Sequence, residues 1–329
     1  MQPFKFTNVS DAASAIKAAS SNTNSRFIAG GTNLLDLMKE GIVNPTELID
    51  ISHLNLAQIK ATGSGISIGS LAKNTETANH PLVRRDYPLL TQAILSGASA
   101  QIRNMATNGG NIMQRTRCPY FYEVTVSCNK REPGSGCSSR EGMNRRHSIF
   151  GYSDMCAAVH PSDMCVALAA LDATVNILGP DGKARSITFT DFHRLPGDTP
   201  ELDNELKHGE LITSIDIPRN KFAANSYYLK VGDRASFSFA IISVGAALEM
   251  NGNIISAVRL AMGGVAPKPW RAFDAEKFLT GKPATQENFK AAAALEMKTA
   301  KPLEHNGFKV ELGQRSIVLA LRRAIGAKG

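Results

Sequence analysis

The stretch FIAGGTNLL at 27–35 decides how this chain is read. A short apolar run, Phe27-Ile28-Ala29, ends in the pair Gly30-Gly31, and Thr32, Asn33 and Leu34 follow. A second stretch, ATNGGNI at 106–112, repeats the design: Ala106 and Thr107 lead through Asn108 into Gly109-Gly110, then Asn111 and Ile112. Glycine tolerates positive φ and lets backbone N–H groups approach an anion closely. Thr32, Thr107 and Asn111 bring short polar side chains for oxygens that the amides leave free. Neither stretch fits G-x-G-x-x-G or the phosphate loop G-x-x-x-x-G-K-[ST]. Taken singly, each pair reads as a tight turn, with a diphosphate ligand as the weaker alternative.

The rest of the chain sets bounds. At 329 residues it exceeds what one core usually holds, so two or three domains are expected. No apolar run approaches the ~20 residues that a bilayer span needs, so membrane insertion is not expected. The opening MQPFKFTNVSDAASAIKAA lacks a continuous apolar segment, so no signal peptide of its own is expected. The net charge of +8 suits an anionic partner or ligand. Its basic residues are scattered and no nucleic-acid-binding motif occurs, which excludes that class. A phosphate-bearing cofactor, an acidic partner subunit or simple solubility accounts for the charge.

Around the first glycine pair, helix and strand alternate. A helix opens at Ser10-Asp11 with Ser10 as N-cap, and residues 27–29 and 47–51 read as strands, as in a small α/β unit. Residues 65–69 read as a strand, 74–79 and 89–96 as helices, 173–178 and 211–217 as further strands. A polar stretch at 219–225 marks a domain boundary. Beyond it, strands at 227–231, 238–250 and 254–262 form an antiparallel sheet, followed by helices at 273–279, 286–298 and 315–325.

Residues 115–156 fit neither period. They hold seven Arg or Lys and four of the five cysteines: Cys118, Cys128, Cys137 and Cys156. Four converging thiolates suit zinc or an iron–sulfur cluster. The close C-x₂₋₄-C pairs of structural zinc are absent, and so is the ferredoxin run C-x₂-C-x₂-C. Two disulfides remain open in an oxidising compartment, as do unpaired thiols. Cys165, within an apolar helix, reads as a small core residue.

FIAGGTNLL and ATNGGNI, with PSDMCVALAALDA at 161–173 and LAMGGVAPKPWRA at 260–272, resemble in order the landmarks of the FAD-binding (medium) subunits of the molybdenum hydroxylases, the xanthine dehydrogenase and aldehyde oxidoreductase family. The resemblance implies an α+β chain. A vanillyl-alcohol-oxidase-type FAD-binding domain spans 1–218, with subdomains at about 1–55 and 56–218, and an α+β C-terminal domain covers 222–329. It implies that Arg26, Phe27, Ile28, Ala29, Gly30, Gly31, Thr32, Asn33 and Leu34 wrap one side of the FAD pyrophosphate. Ala106, Thr107, Gly109, Gly110, Asn111 and Ile112 would line the other. Asp163 would take a hydroxyl of FAD, and Ile212 and Lys230 would lie near the isoalloxazine. Two departures stand out: Asn33 where the family has an acidic residue, and Asn108 where it has an aliphatic one.

Asn111 and Asp163 lie 52 positions apart, far more than the resemblance implies, so an insertion at about 115–157 separates two parts of one flavin site. It resembles the 4Fe–4S insertion in flavin subunits of 4-hydroxybenzoyl-CoA reductase and, more closely, of periplasmic aldehyde oxidoreductases, on RTRCPYFY, CNKR, PGSGC and HPSDM. That likeness implies Cys118, Cys128, Cys137 and Cys156 as ligands, with Arg115, Arg117, Lys130, Arg131, Arg145 and Arg146 offsetting the negative charge. The implied function is electron transfer in a heterotrimeric molybdenum-dependent aldehyde oxidoreductase. A small subunit would carry 2Fe–2S centres and a large subunit the molybdenum cofactor, with no catalytic acid, base or nucleophile on this chain. The implied location is the periplasm, by co-export with a signal-bearing partner, or else the cytoplasm. A stand-alone flavin oxidoreductase and a zinc-stapled nucleotide-binding assembly module are the rival readings.

Overall fold

The computed structural model describes residues 1–326, and the last three positions of the expected C-terminal domain lie outside it. Its N-terminal unit is a three-stranded parallel sheet, with Glu47–Asp50 between Lys5–Asn8 and Ser25–Ile28. Helix Ala12–Ser21 crosses between the outer strands and buries Ala15, Ile16 and Ala19 on its inner face. Its N-cap is Asp11, not Ser10: the Asp11 carboxylate accepts the Ser14 amide at 2.8 Å, while the Ser10 hydroxyl donates to that carboxylate. A carboxylate is the stronger acceptor at a helix start.

The second unit is a five-stranded antiparallel sheet in the order Ile59–Ala61, Gly65–Gly69, Leu211–Pro218, Thr174–Leu178, Ala184–Thr188. The pattern at Ile59–Ala61 and Ala184–Thr188 is too short and too exposed to be legible in sequence. Helix Asp163–Ala170 is buried at all eight positions. It packs on helix Pro88–Ser96 and on strands Ile242–Asn251 and Ile254–Gly263 of the next unit. Gly263 makes that approach feasible, since a Cβ there would stand 2.7 Å from a Val166 methyl.

The third unit is the antiparallel sheet expected, in the order Trp270–Arg271, Ile254–Gly263, Ile242–Asn251, Ser226–Val231. Three helices back it, the last running Phe308–Ala324 and so starting earlier than periodicity alone suggested. Its buried positions Gly313, Ser316, Ile317, Ala320, Leu321 and Ala324 recur at helical spacing. The class is therefore α+β, and no described helix is long and apolar enough to cross a membrane.

The cysteine segment is built from turns. Among its described residues only Pro119–Tyr122 is helical, and Gly134, Gly136 and Gly151 take positive φ. Both ends of the molecule hold it. Phe121 and Cys128 pack against Leu37 of the N-terminal unit, while Ile149 and Phe150 join the core of the third unit. Phe150 stacks on Trp270 with ring centroids 4.7 Å apart.

Candidate functional site

A cavity of about 350 Å³ opens where the three units meet, within the range of cofactor sites. Thr32, Asn33, Ala106, Gly110, Asn111, Asp163 and Lys230 all line it, so residues far apart in sequence share one wall. The two glycine stretches touch directly: a Cβ on Gly30 would stand 2.0 Å from the Met105 carbonyl oxygen. Gly31 has φ +69, a conformation that suits glycine.

The two stretches differ in what they offer. Among the described residues, nothing in the chain accepts the N–H groups of Gly31, Thr32 or Asn33, and the Asn33 Nδ2 is buried without a partner. The second stretch is not an open loop but a helical turn, Asn108–Ile112, N-capped by Thr107, whose hydroxyl accepts the Gly110 amide. Its leading amides are taken: Asn108 N–H donates to the Ala72 carbonyl at 3.0 Å and Gly109 N–H to the Ser70 carbonyl at 2.7 Å. Gly109 is there for packing, since a Cβ would stand 3.1 Å from that of Ser70. Asn108 has a job of its own. Its side chain accepts from Asn74 and donates to Thr77 in a buried network that replaces aliphatic packing.

Asp163 heads its helix with Ser162 as N-cap. Burial raises its pKa against the opposing Lys230 charge. One carboxylate oxygen accepts the Tyr228 hydroxyl and the other accepts Lys230 Nζ, each at 2.7 Å. Lys230 also donates to the Ser96 carbonyl, so it is an anchored cation on the cavity wall.

Of the other residues implied, Arg26, Phe27, Ile28 and Ala29 form the strand and lead-in, and Leu34 starts the helix behind. Gly109 and Ile112 lie beneath the wall. Ile212 stands apart: it pairs with Ile177 in the five-stranded sheet and belongs to the core, away from the cavity. Residues not singled out from sequence complete the site. Ala98 and Phe237, both lining the cavity, hold positive φ, and Arg103 pins the first by donating to the Gly97 and Ala98 carbonyls. Their positions depend on chain crossings that no local pattern announces.

Cys118, Cys128, Cys137 and Cys156 line one small cavity in the inserted segment. None is in a disulfide. Cys128 and Cys137 face each other across an antiparallel bridge. Burial pushes the Cys118 thiol up to about 12 and Cys156 up to about 11, so deprotonation there requires a compensating cation. Three sulfurs have close polar neighbours: Cys118 the His147 Nε2 at 3.2 Å, Cys137 the Ser139 Oγ at 3.1 Å, and Cys156 the Ala158 N–H at 3.5 Å.

The surroundings are over-supplied with cations. Lys130 and Arg115 share the single carboxylate of Asp203. Arg131 bonds only carbonyls, those of Tyr120, Phe121 and Val126. Fully buried Lys309 donates to the His147 and Gly264 carbonyls, and burial lowers its pKa to about 7. Arg117 pairs with Asp36, and Arg145 and Arg146 with Asp233. A third cavity of about 200 Å³ shares Arg117, Ser162, Asp163 and Phe239 with the first and Cys118 with the cysteine cavity.

A further group, half-buried His160 with buried Cys165 and His193, has its ligand atoms within 4.8 Å of one another. His193 Nε2 meets the Ile112 carbonyl, which leaves Nδ1 as an acceptor. His160 Nδ1 accepts the Ser162 N–H, which leaves the proton on Nε2. The two remaining nitrogens, His160 Nε2 and His193 Nδ1, are buried without a hydrogen-bond partner among the described residues.

Comparison with known proteins fits this geometry. Residues 2–220 match the FAD binding domain in molybdopterin dehydrogenase, and residues 227–326 match the CO dehydrogenase flavoprotein C-terminal domain. The chain therefore belongs to the FAD-binding medium subunits of the molybdenum hydroxylases, a family of oxidoreductase subunits. Within it, the chain is 45% identical to the aldehyde oxidoreductase FAD-binding subunit PaoB of Escherichia coli (strain K12), over 98% of this chain and 99% of that one. It is 29% identical to the glyceraldehyde dehydrogenase medium chain of Sulfolobus acidocaldarius, over 92% and 91%. Carbon monoxide dehydrogenase from Hydrogenophaga pseudoflava shares the fold, with a TM-score of 0.78 at 23% identity, over 100% of this chain and 99% of that one.

Proposed function

We propose that this chain is the FAD- and 4Fe–4S-binding subunit of a heterotrimeric molybdenum-dependent aldehyde oxidoreductase. The aldehyde substrate is supported by the 45% identity to a subunit so named. The observation that carries the iron–sulfur part is the convergence of four cysteines from a 39-residue span, Cys118 to Cys156, on one cavity, which a further cavity links to the first.

The residues present fit both groups. For FAD, the first stretch supplies free amides and an unpartnered Asn33 Nδ2 for diphosphate oxygens, and Lys230 supplies an anchored positive charge. For the cluster, the unbalanced cations favour an anionic four-thiolate centre over neutral thiols or disulfides, because a buried charge without a counter-ion is costly. A single zinc with ~2.3 Å bonds would draw its sulfurs to roughly 3.8 Å of one another. Among the described residues, no three of the four sulfurs lie within 4.8 Å of one another.

FAD, when bound, accepts electrons in pairs or singly, and so joins one-electron iron centres to a two-electron oxidation. The chain itself holds and orients the cofactors and excludes water. Its partners in this reading are a large subunit with the molybdenum cofactor and a small one with 2Fe–2S centres, and its compartment is the periplasm, reached in company with a signal-bearing partner, or the cytoplasm. Metal analysis with an absorption spectrum tests the reading: the purified complex should hold about four irons per FAD beyond those of the small subunit's 2Fe–2S centres. Cys137→Ser should lose that iron and keep most of the flavin. Zinc in place of those additional irons would overturn the cluster assignment.

A further inference from the structure

The cysteine cavity is not symmetric in its polar neighbours. His147, 3% exposed, presents Nε2 to the Cys118 sulfur at 3.2 Å. Ser139, 1% exposed, presents Oγ to the Cys137 sulfur at 3.1 Å. No side chain hydrogen-bonds the Cys128 or Cys156 sulfur among the described residues; Cys156 has the Ala158 amide at 3.5 Å and the nearby Lys130 charge, not a side-chain hydrogen bond. A metal-bound thiolate carries no proton, so in both close contacts the protein group must be the donor. That requirement puts the imidazole proton of His147 on Nε2 and turns the Ser139 hydroxyl toward its sulfur.

Both donors are held from outside the cavity. The His147 carbonyl accepts from Lys309 Nζ at 2.8 Å and from Asn306 Nδ2 at 3.2 Å, both on the C-terminal domain. The Ser139 carbonyl accepts from Asn144 Nδ2, and Asn144 in turn accepts the His305 amide. The third unit therefore fixes the backbone from which each donor reaches its sulfur.

We propose that His147 and Ser139 are positioning residues that set the reduction potential of the iron–sulfur centre by hydrogen bonding to two of its four thiolates. The inference rests on the cluster reading above. Its physical basis is the charge change on reduction: one electron, delivered by an iron centre on a partner subunit, makes the centre more negative. Donors aimed at sulfur stabilise the reduced form more than the oxidised form and so raise the potential. Burial strengthens the effect because little solvent competes for the sulfurs.

The test is a potentiometric titration of the purified complex, followed by electron paramagnetic resonance of the cluster on this chain. His147→Phe and Ser139→Ala should each keep iron and flavin and shift the midpoint to lower potential, with His147→Phe shifting further. The double variant should shift by about the sum. His147→Gln and Ser139→Thr, which keep a donor, should recover part of the loss. Full iron content with unchanged potentials in both His147→Phe and Ser139→Ala would overturn the proposal. If His147→Phe sheds its iron, Ser139→Ala decides alone: a lowered midpoint supports the proposal and an unchanged one overturns it. A wild-type complex without iron on this chain would sink the cluster reading first, before any variant is made, and this inference with it.

Discussion

Gly30-Gly31 and Gly109-Gly110 look alike in sequence and act differently in the structure. The first pair keeps its following amides free and lets the chain lie against the Met105 carbonyl. The second pair spends its amides on the protein: Gly109 is bonded to Ser70, and its missing side chain is what lets the turn sit against that residue. One stretch leaves its backbone donors open, and the other is a bonded turn that holds Asn111, Ala106 and Gly110 against the same cavity. A repeated motif thus says nothing of which copy keeps its amides free.

Substitutions can break that contrast. Gly30→Ala should have the largest effect, because its Cβ would collide with backbone that cannot swing aside. A cost of about 3 kcal/mol or more is expected, with flavin lost from the purified protein, read by urea unfolding and by absorbance. Asn108→Leu restores the aliphatic residue usual at that position by resemblance, yet should destabilise by about 2 kcal/mol. It strands the buried partners on Asn74 and Thr77, and thermal unfolding would register the loss.

Gly109→Ala, at 3.1–3.2 Å from Ser70, should cost about 1 kcal/mol of stability while flavin affinity in a direct titration stays within about twofold. Gly31→Ala should do the reverse. Its strain at φ +69 is worth about 1 kcal/mol and falls where the amides face the ligand, so flavin affinity should drop roughly fivefold. Equal effects of these last two on affinity would erase the distinction between the pairs.

Much of the fold was legible because its elements are long and periodic. The C-terminal sheet and its helices follow from alternating and helical apolar spacing, and the glycine stretches announced themselves by residue type. The cap at Asp11 was misread by one position, since Ser10 and Asp11 are both good caps and only the bond to Ser14 chooses between them. Ile212 was carried to the cavity by resemblance, yet its side chain belongs to the sheet core. Phe237 and Ala98 were missed because their backbone strain has no sequence mark of its own.

Residue chemistry alone determined that this chain has two glycine-rich stretches of one design and a thiol-rich segment that cannot build its own core. Those properties are local: glycine's missing Cβ and cysteine's sulfur are the same in any fold. Only the tertiary structure decided which amides remain free, that the four sulfurs share one cavity, and that Lys309 and Asn306 brace the segment from more than 150 positions away. A hydrogen bond is satisfied or left open by whatever the fold brings within reach, and that is a property of the whole chain.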